Sequence, residues 1–146
     1  MGGPFTRHNV YFFKKGIMKT RTMMATAAVL LAGCNSPTSS LAPFQPQINN
    51  AANNFQFQAT GVQTVTTTLT YQWQNSGTGA SVNQATTITA GSATVTLYDS
   101  TNTMVYTRNL ADNGTFAASA GAIGSWTIKV VLVDYSGTVN FRVQKA

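Results

Sequence analysis

Few side chains in this 146-residue sequence could do chemistry, and they are widely spaced. The only acids are Asp99, Asp112 and Asp134; there is no glutamate, and the one histidine, His8, lies far upstream of them. The one cysteine is Cys34. Downstream of it neither a Ser-His-Asp nor a Cys-His arrangement can be assembled, because the base is missing. Zinc has no Cys or His ligand set there. Paired-carboxylate hydrolysis would need two of the three aspartates. All three sit in or beside turn sequences, where Asp ordinarily bonds its own backbone. Calcium ligation by such turns is the alternative to that role. No Gly-rich phosphate loop leads into a helical pattern. The residues therefore predict a protein that is not an enzyme and carries no cofactor or metal.

Aromatic residues are the remaining candidates for binding. Tyr71 and Trp73 alternate along one predicted strand and share a face, as a sugar-stacking platform requires. They share that face with Leu69, and aromatics on the apolar side of a sheet also serve as core. Both readings stay open. Trp126 reads as core. Tyr98, Tyr106 and Tyr135 stand near strand ends, where a ring can be half buried with its hydroxyl wet.

Charge excludes another class. Nine basic residues give a formal net charge of +6, but Arg7, Lys14, Lys15, Lys19 and Arg21 all precede Cys34. Arg108, Lys129, Arg142 and Lys145 remain against three aspartates. Four scattered cations do not make the clustered basic face that nucleic acid requires. From Thr22 to Tyr98 there is no charged side chain at all, so Thr, Ser, Asn and Gln must keep that half in water.

The elements that would position these residues begin with a targeting segment. Met23–Gly33 (MMATAAVLLAG) is an apolar run behind Lys19 and Arg21. A basic flank, a short apolar run and small residues at its end define a secretory signal. A membrane span would need roughly 20 apolar residues, and Asn35-Ser36-Pro37 ends this run too early. Leu31-Ala32-Gly33-Cys34 resembles the lipobox of bacterial lipoproteins. That resemblance implies cleavage between Gly33 and Cys34, a diacylglycerol on the Cys34 thiol and an acylated new amino terminus. Two or more acyl chains anchor stably where one does not, and a single cysteine leaves no disulfide partner. Asn35 stands where an aspartate favours inner-membrane retention in enterobacterial lipoproteins, which points toward the outer membrane. Met18 precedes Lys19-Thr20-Arg21, and the codons for Lys14-Lys15-Gly16 contain a purine-rich ribosome-binding sequence. Residues 1–17 accordingly read as over-called upstream sequence, 18–33 as signal and 34–53 as lipidated Cys34 plus flexible tether. Pro37, Pro43 and Pro46 keep that tether extended, with Phe44 and Ile48 able to dock.

Residues 54–146 alternate with a period of two. Phe55, Phe57 and Ala59; Thr67, Leu69, Tyr71 and Trp73; Ala93, Val95 and Leu97; Trp126, Ile128, Val130 and Leu132; and Val139, Phe141 and Val143 are separated by polar residues. Such alternation marks half-buried strands. Turn sequences fall at residues 75–79, Ala90-Gly91, 99–102, 112–114, Ala120-Gly121 and Ser136-Gly137. The prediction is all-β: one antiparallel sandwich, jelly-roll or Ig-like, of roughly seven to nine strands. Val105-Tyr106, Leu110 to Gly114 and the Gly124–Phe141 ending (G-x-W-x-I-x-V … G-x-V-x-F) resemble bacterial pre-peptidase C-terminal domains and convertase P domains. The resemblance implies a non-catalytic jelly-roll appendage. The expected protein is lipid-anchored in a bacterial envelope, with a structural, adhesive or protein-interaction role; a carbohydrate-binding module using the Tyr71/Trp73 face is the alternative. Its expected partners are the membrane, through the lipid, and an envelope protein or polysaccharide.

Overall fold

Phe55 and Tyr71 stand sixteen positions apart on one continuous strand, yet their ring centroids lie 5.2 Å from each other. Sixteen residues of straight strand would span about 53 Å at ~3.3 Å each, so the strand must double back. That doubling organises the molecule. The computed structural model describes residues 40–146, so Gly33 and Cys34 lie outside the described residues. Seven strands follow a 3-10 turn at Ala42–Phe44: β1 (Gln47–Ala51), β2 (Asn54–Asn75), β3 (Ala80–Gln84), β4 (Thr87–Tyr98), β5 (Met104–Asn109), β6 (Gly114–Ala117) and β7 (Gly124–Lys145). All pair antiparallel in one sheet of order β1-β2-β7-β3-β6, with β4 between β7 and β5. The all-β antiparallel prediction holds, and the doubled sheet is compatible with a sandwich.

β2 and β7, of 22 residues each, pair from Asn54↔Gln144 to Asn75↔Gly124. Along the other side of β7, β3 and β4 run one after the other. Gln84 lies opposite Phe141 and Thr87 opposite Thr138. Between them the Ala85 N–H donates to the Asn140 carbonyl at 3.0 Å, and the Thr86 hydroxyl donates to the same oxygen at 3.1 Å. The result is a three-strand ribbon with a bend across its middle.

Two sequences expected to be turns form that bend instead. Ala90-Gly91 lies inside β4 and Ser136-Gly137 inside β7. Gly91 (φ +74°) packs so closely on β7 that a Cβ would run into the carbonyl oxygens of Val133 and Asp134. At Gly137 (φ +139°) a Cβ would run into the Thr87 carbonyl oxygen. Asp134 and Thr64 are also left-handed, at φ 46° and 49°. Register shifts fall in the same band, between Ala59 and Thr67 of β2 and between Ile88 and Ser92 of β4. Inserted residues of this kind bend a strand and reset which face it presents. In β7 the buried positions are accordingly even before the bend (Trp126, Ile128, Val130, Leu132) and odd after it (Tyr135, Val139, Phe141, Val143).

Folding the ribbon brings its apolar faces together. Phe55, Phe57 and Phe141 cluster at one end, fully or nearly buried, and Phe55 and Phe57 meet Tyr71 from the other. Each such side chain contributes about 1.5–3 kcal/mol on burial. The fold also begins before residue 54. Leu41 is fully buried in the core cluster, Phe44 packs against that cluster, and β1 pairs with β2 through Gln47↔Gln58 to Ala51↔Asn54.

Glycine in the bend is thus required for two different reasons, which substitution should separate. Gly61→Ala places a Cβ in open space at φ +64° and should cost about 1–2 kcal/mol for the left-handed backbone alone. Gly91→Ala should add about 1–3 kcal/mol for the contact with β7. Guanidinium unfolding of the two variants checks this, and equal losses would mean that the close approach at Gly91 does not constrain the fold.

Candidate functional site

The aromatic candidates are divided by the fold. Trp73 is fully buried, paired directly opposite Trp126, and their rings meet edge to face at 5.9 Å and 89°. Such pairs contribute about 0.5–1.5 kcal/mol beyond area. The Trp126 indole N–H donates to the Ala122 carbonyl at 2.7 Å, whereas Trp73 Nε1 has no hydrogen-bond partner among the described residues. Tyr71 is half-buried against Phe55 and Phe57, and burial pushes its phenol upward in pKa. A stacking platform needs two exposed ring faces, and Trp73 offers none. The chemistry this pair performs is core packing. The apolar partners Phe55 and Phe57, distant in sequence from residue 71, could not be matched to it by local alternation.

The other tyrosines also serve the fold. Tyr135 is buried in the bend, donates to the Thr87 carbonyl at 3.0 Å and is pushed up to about 12 by desolvation. Tyr106 is buried beside the Gln84 amide, 2.7 Å from its hydroxyl. With its oxygen turned to that hydroxyl, Gln84 donates to the Asp112 and Asn109 carbonyls at 2.8 and 3.1 Å. Tyr98 remains half-exposed on the outer face, opposite Thr127.

Each aspartate is committed to its surroundings. Asp99 Oδ1 accepts from the Thr101 and Thr103 amides, both at 2.9 Å, and from the Thr101 hydroxyl at 2.7 Å. Its Oδ2 accepts from the Ala122 amide at 2.8 Å. Hydrogen bonds from Ala122, Thr103 and Thr101 hold the carboxyl at about 2, below its ordinary 3.8. One carboxylate thereby shapes the β4–β5 turn and ties to it the loop that precedes Trp126. Asp112 pairs with Arg108 at 3.4 Å on the surface, where such a pair contributes little. The Arg108 guanidinium also lies 4.0 Å over the Phe116 ring. Asp134 accepts from the Thr66 hydroxyl at 3.0 Å, and that hydroxyl oxygen accepts from the Asp134 amide at 2.8 Å. Among the described residues no three His, Cys, Asp or Glu gather to hold a metal.

What the fold does present is a broad polar surface. On the outer face of the half that holds Trp73 and Trp126, Thr70, Lys129, the buried Thr96 and Thr107 form one row across four strands, and Thr68, Val131, Thr94 and Asn109 the next. The Thr96 and Thr107 hydroxyls lie 3.1 Å apart, and Gln72 bonds Thr127 and Ser125, each at 3.1 Å. At the sheet edge a second polar array, Gln47, Asn49, Gln56 and Gln58 with Ile48, lines a shallow depression of about 170 Å³. The sequence reading placed residues 47–51 in the tether; QINNA has no sustained period of two, and the strand is defined only by its pairing with β2.

No family model matches the chain, and no curated protein matches it. Among solved structures, a chain from "Structure of infectious bursal disease virus Gt strain" is similar at 18% identity with a TM-score of 0.29. The likeness covers 68% of this chain and 31% of the viral one, so this chain spans about a third of that chain's length.

Trp126→Ala should cost about 3–5 kcal/mol, as for other large buried aromatics. Trp126→Phe should cost about 0.5–1.5 kcal/mol more than Trp73→Phe, because only the first loses a hydrogen bond. Urea unfolding of the three variants tests this; a costlier Trp73→Phe would contradict it.

The lowered pKa of Asp99 stabilises the fold above about pH 4, and this contribution is lost as pH falls toward about 2. Asp99→Asn cannot titrate, so its stability should fall less over that interval. Parallel wild-type and variant profiles would show that Asp99 is not the titrating group.

Proposed function

We propose that this chain is a non-catalytic, lipid-anchored protein of a bacterial envelope, acting in a structural, adhesive or protein-interaction role. The observation that carries the reading is Leu31-Ala32-Gly33-Cys34, closing an apolar run behind Lys19 and Arg21. Cys34 is the acylation site, Gly33–Cys34 the cleavage point, and the outer membrane the expected location because Asn35 replaces the retention aspartate. The β fold supports the reading in what its side chains do. All three carboxylates are spent on hydrogen bonds or an ion pair within the fold, and its outer surface is a Thr- and Gln-rich sheet face. A jelly-roll accessory domain of the pre-peptidase C-terminal or P-domain type is the kind of appendage this implies. The carbohydrate alternative draws no support from the buried Trp73.

Cys34→Ser tests the proposal. Wild type should take up radiolabelled palmitate and need detergent for extraction. The variant should do neither, while its β-sheet circular dichroism stays unchanged. Equal labelling of both proteins, or a wild type soluble without detergent, would overturn the reading.

A further inference from the structure

β1 is an open edge. All five of its residues, Gln47 to Ala51, are exposed, and β2 is its one strand partner among the described residues. An unpaired edge is a template for another strand, and proteins usually block it with charge, proline, a bulge or a covering loop. β1 has none of these within its length. It contains no charged residue or proline, and its register with β2 is unbroken. The opposite side of the sheet differs. There β5 carries Arg108, which pairs with Asp112 and lies over the Phe116 ring of β6, and the following segment covers the edge through Ser119 N to the Val105 carbonyl at 2.9 Å and Gly121 N to the Thr78 carbonyl at 2.7 Å.

We propose that β1 pairs antiparallel with β1 of a second copy of this chain, with Asn49 on the two-fold axis. The edge is self-complementary in that register. Gln47 then faces Ala51 of the other copy, Ile48 faces Asn50, and Asn49 faces its equivalent. On the outer face Asn49 already lies beside Gln56, and Gln47 beside Gln58. Pairing extends the Asn49 row into an amide ladder, Gln56–Asn49–Asn49–Gln56, across both molecules, an arrangement that stabilises stacked strands. On the other face Ile48, 45% exposed and opposite Phe57, comes diagonally against Ile48 of the second copy, within side-chain reach. Neither β1 nor β2 carries a charged residue; the Asn49 row also carries Arg142 of β7, whose guanidinium donates to the Gln56 side chain at 3.4 Å, two strands in from the shared edge. The pairing also closes. Pro46 and the left-handed Gln45 (φ 44°) end the edge on one side and left-handed Asn53 (φ 64°) on the other. The contact is therefore isologous and yields a dimer, not a fibre.

The inference names the partner for the interaction role proposed above, but it rests on the strand edge and not on the lipid. It is tested in the full chain carrying Cys34→Ser, so that an introduced cysteine is the sole thiol. Asn49→Cys should form a disulfide-linked dimer at least about tenfold faster than Gln63→Cys, an exposed control in the bend. Adding Ile48→Lys to Asn49→Cys should slow the reaction by a similar factor, since it puts like charges on the shared edge. Circular dichroism should show all three variants folded. Equal rates at positions 49 and 63, or no effect of Ile48→Lys, would overturn the dimer. Palmitate labelling of wild type reads the anchor separately, so either conclusion can fail without the other.

Discussion

Everything in this fold depends on backbone meeting backbone at one line across the sheet. Gly91 of β4 sits against the Val133 and Asp134 carbonyls of β7, and Gly137 of β7 sits against the Thr87 carbonyl of β4. A side chain at either point would hold the strands apart where they must turn together. Because β2, β7 and β4 all pass through this band, the ribbon bends as a unit and keeps its hydrogen-bond ladder on both sides. The contacts of Tyr71 with Phe55 and Phe57 are a consequence, since those rings could not meet along an unbent strand, whereas Phe141 reaches Phe57 simply by lying opposite it.

Polar side chains do in this molecule much of what ion pairs do elsewhere. Asp99 satisfies three backbone amides and a hydroxyl, and so fixes both a hairpin turn and the loop whose carbonyl at Ala122 receives the Trp126 indole. Asn50 and Asn53 fasten the β1–β2 turn to the facing half of β2. The Asn50 amide donates to the Gln72 carbonyl, the Asn53 backbone amide donates to the Gln74 carbonyl, and the Asn53 side chain accepts from the Ser76 amide, each at 2.8 Å. A neutral edge follows from the same economy. Where charge is absent, the usual guard against strand pairing is absent too, and β1 is left able to recognise its own kind.

The resemblance to lipoproteins and the β fold describe separate parts of the chain. One is carried by four residues at the end of an apolar run, the other by residues 40–146. Among the described residues the fold already includes the buried Leu41 and the strand Gln47–Ala51, ahead of residue 54.

Local alternation alone was enough to place the inward faces of Phe55 to Ala59, Leu69 to Trp73, Ala93 to Leu97, Trp126 to Leu132 and Val139 to Val143. In a strand the side-chain period is two whatever the strand pairs with. The lack of His and Glu downstream of Cys34, which narrows the available chemistry, is likewise a property of the sequence. The Asp99 turn was legible for a similar reason, because Asp bonds the amides just after it. Tertiary structure decided the rest. Ala90-Gly91 and Ser136-Gly137 carry the same local signal whether the chain reverses or merely bends, and only the neighbouring strand's carbonyls determine which. Tyr71 and Trp73 share a strand face in either reading, but burial comes from Trp126, Phe55 and Phe57, placed opposite them by pairing and by the bend. Residues 47–51 resemble a polar tether until β2 supplies the partner that makes them a strand, because a strand's hydrogen bonds belong to two segments at once.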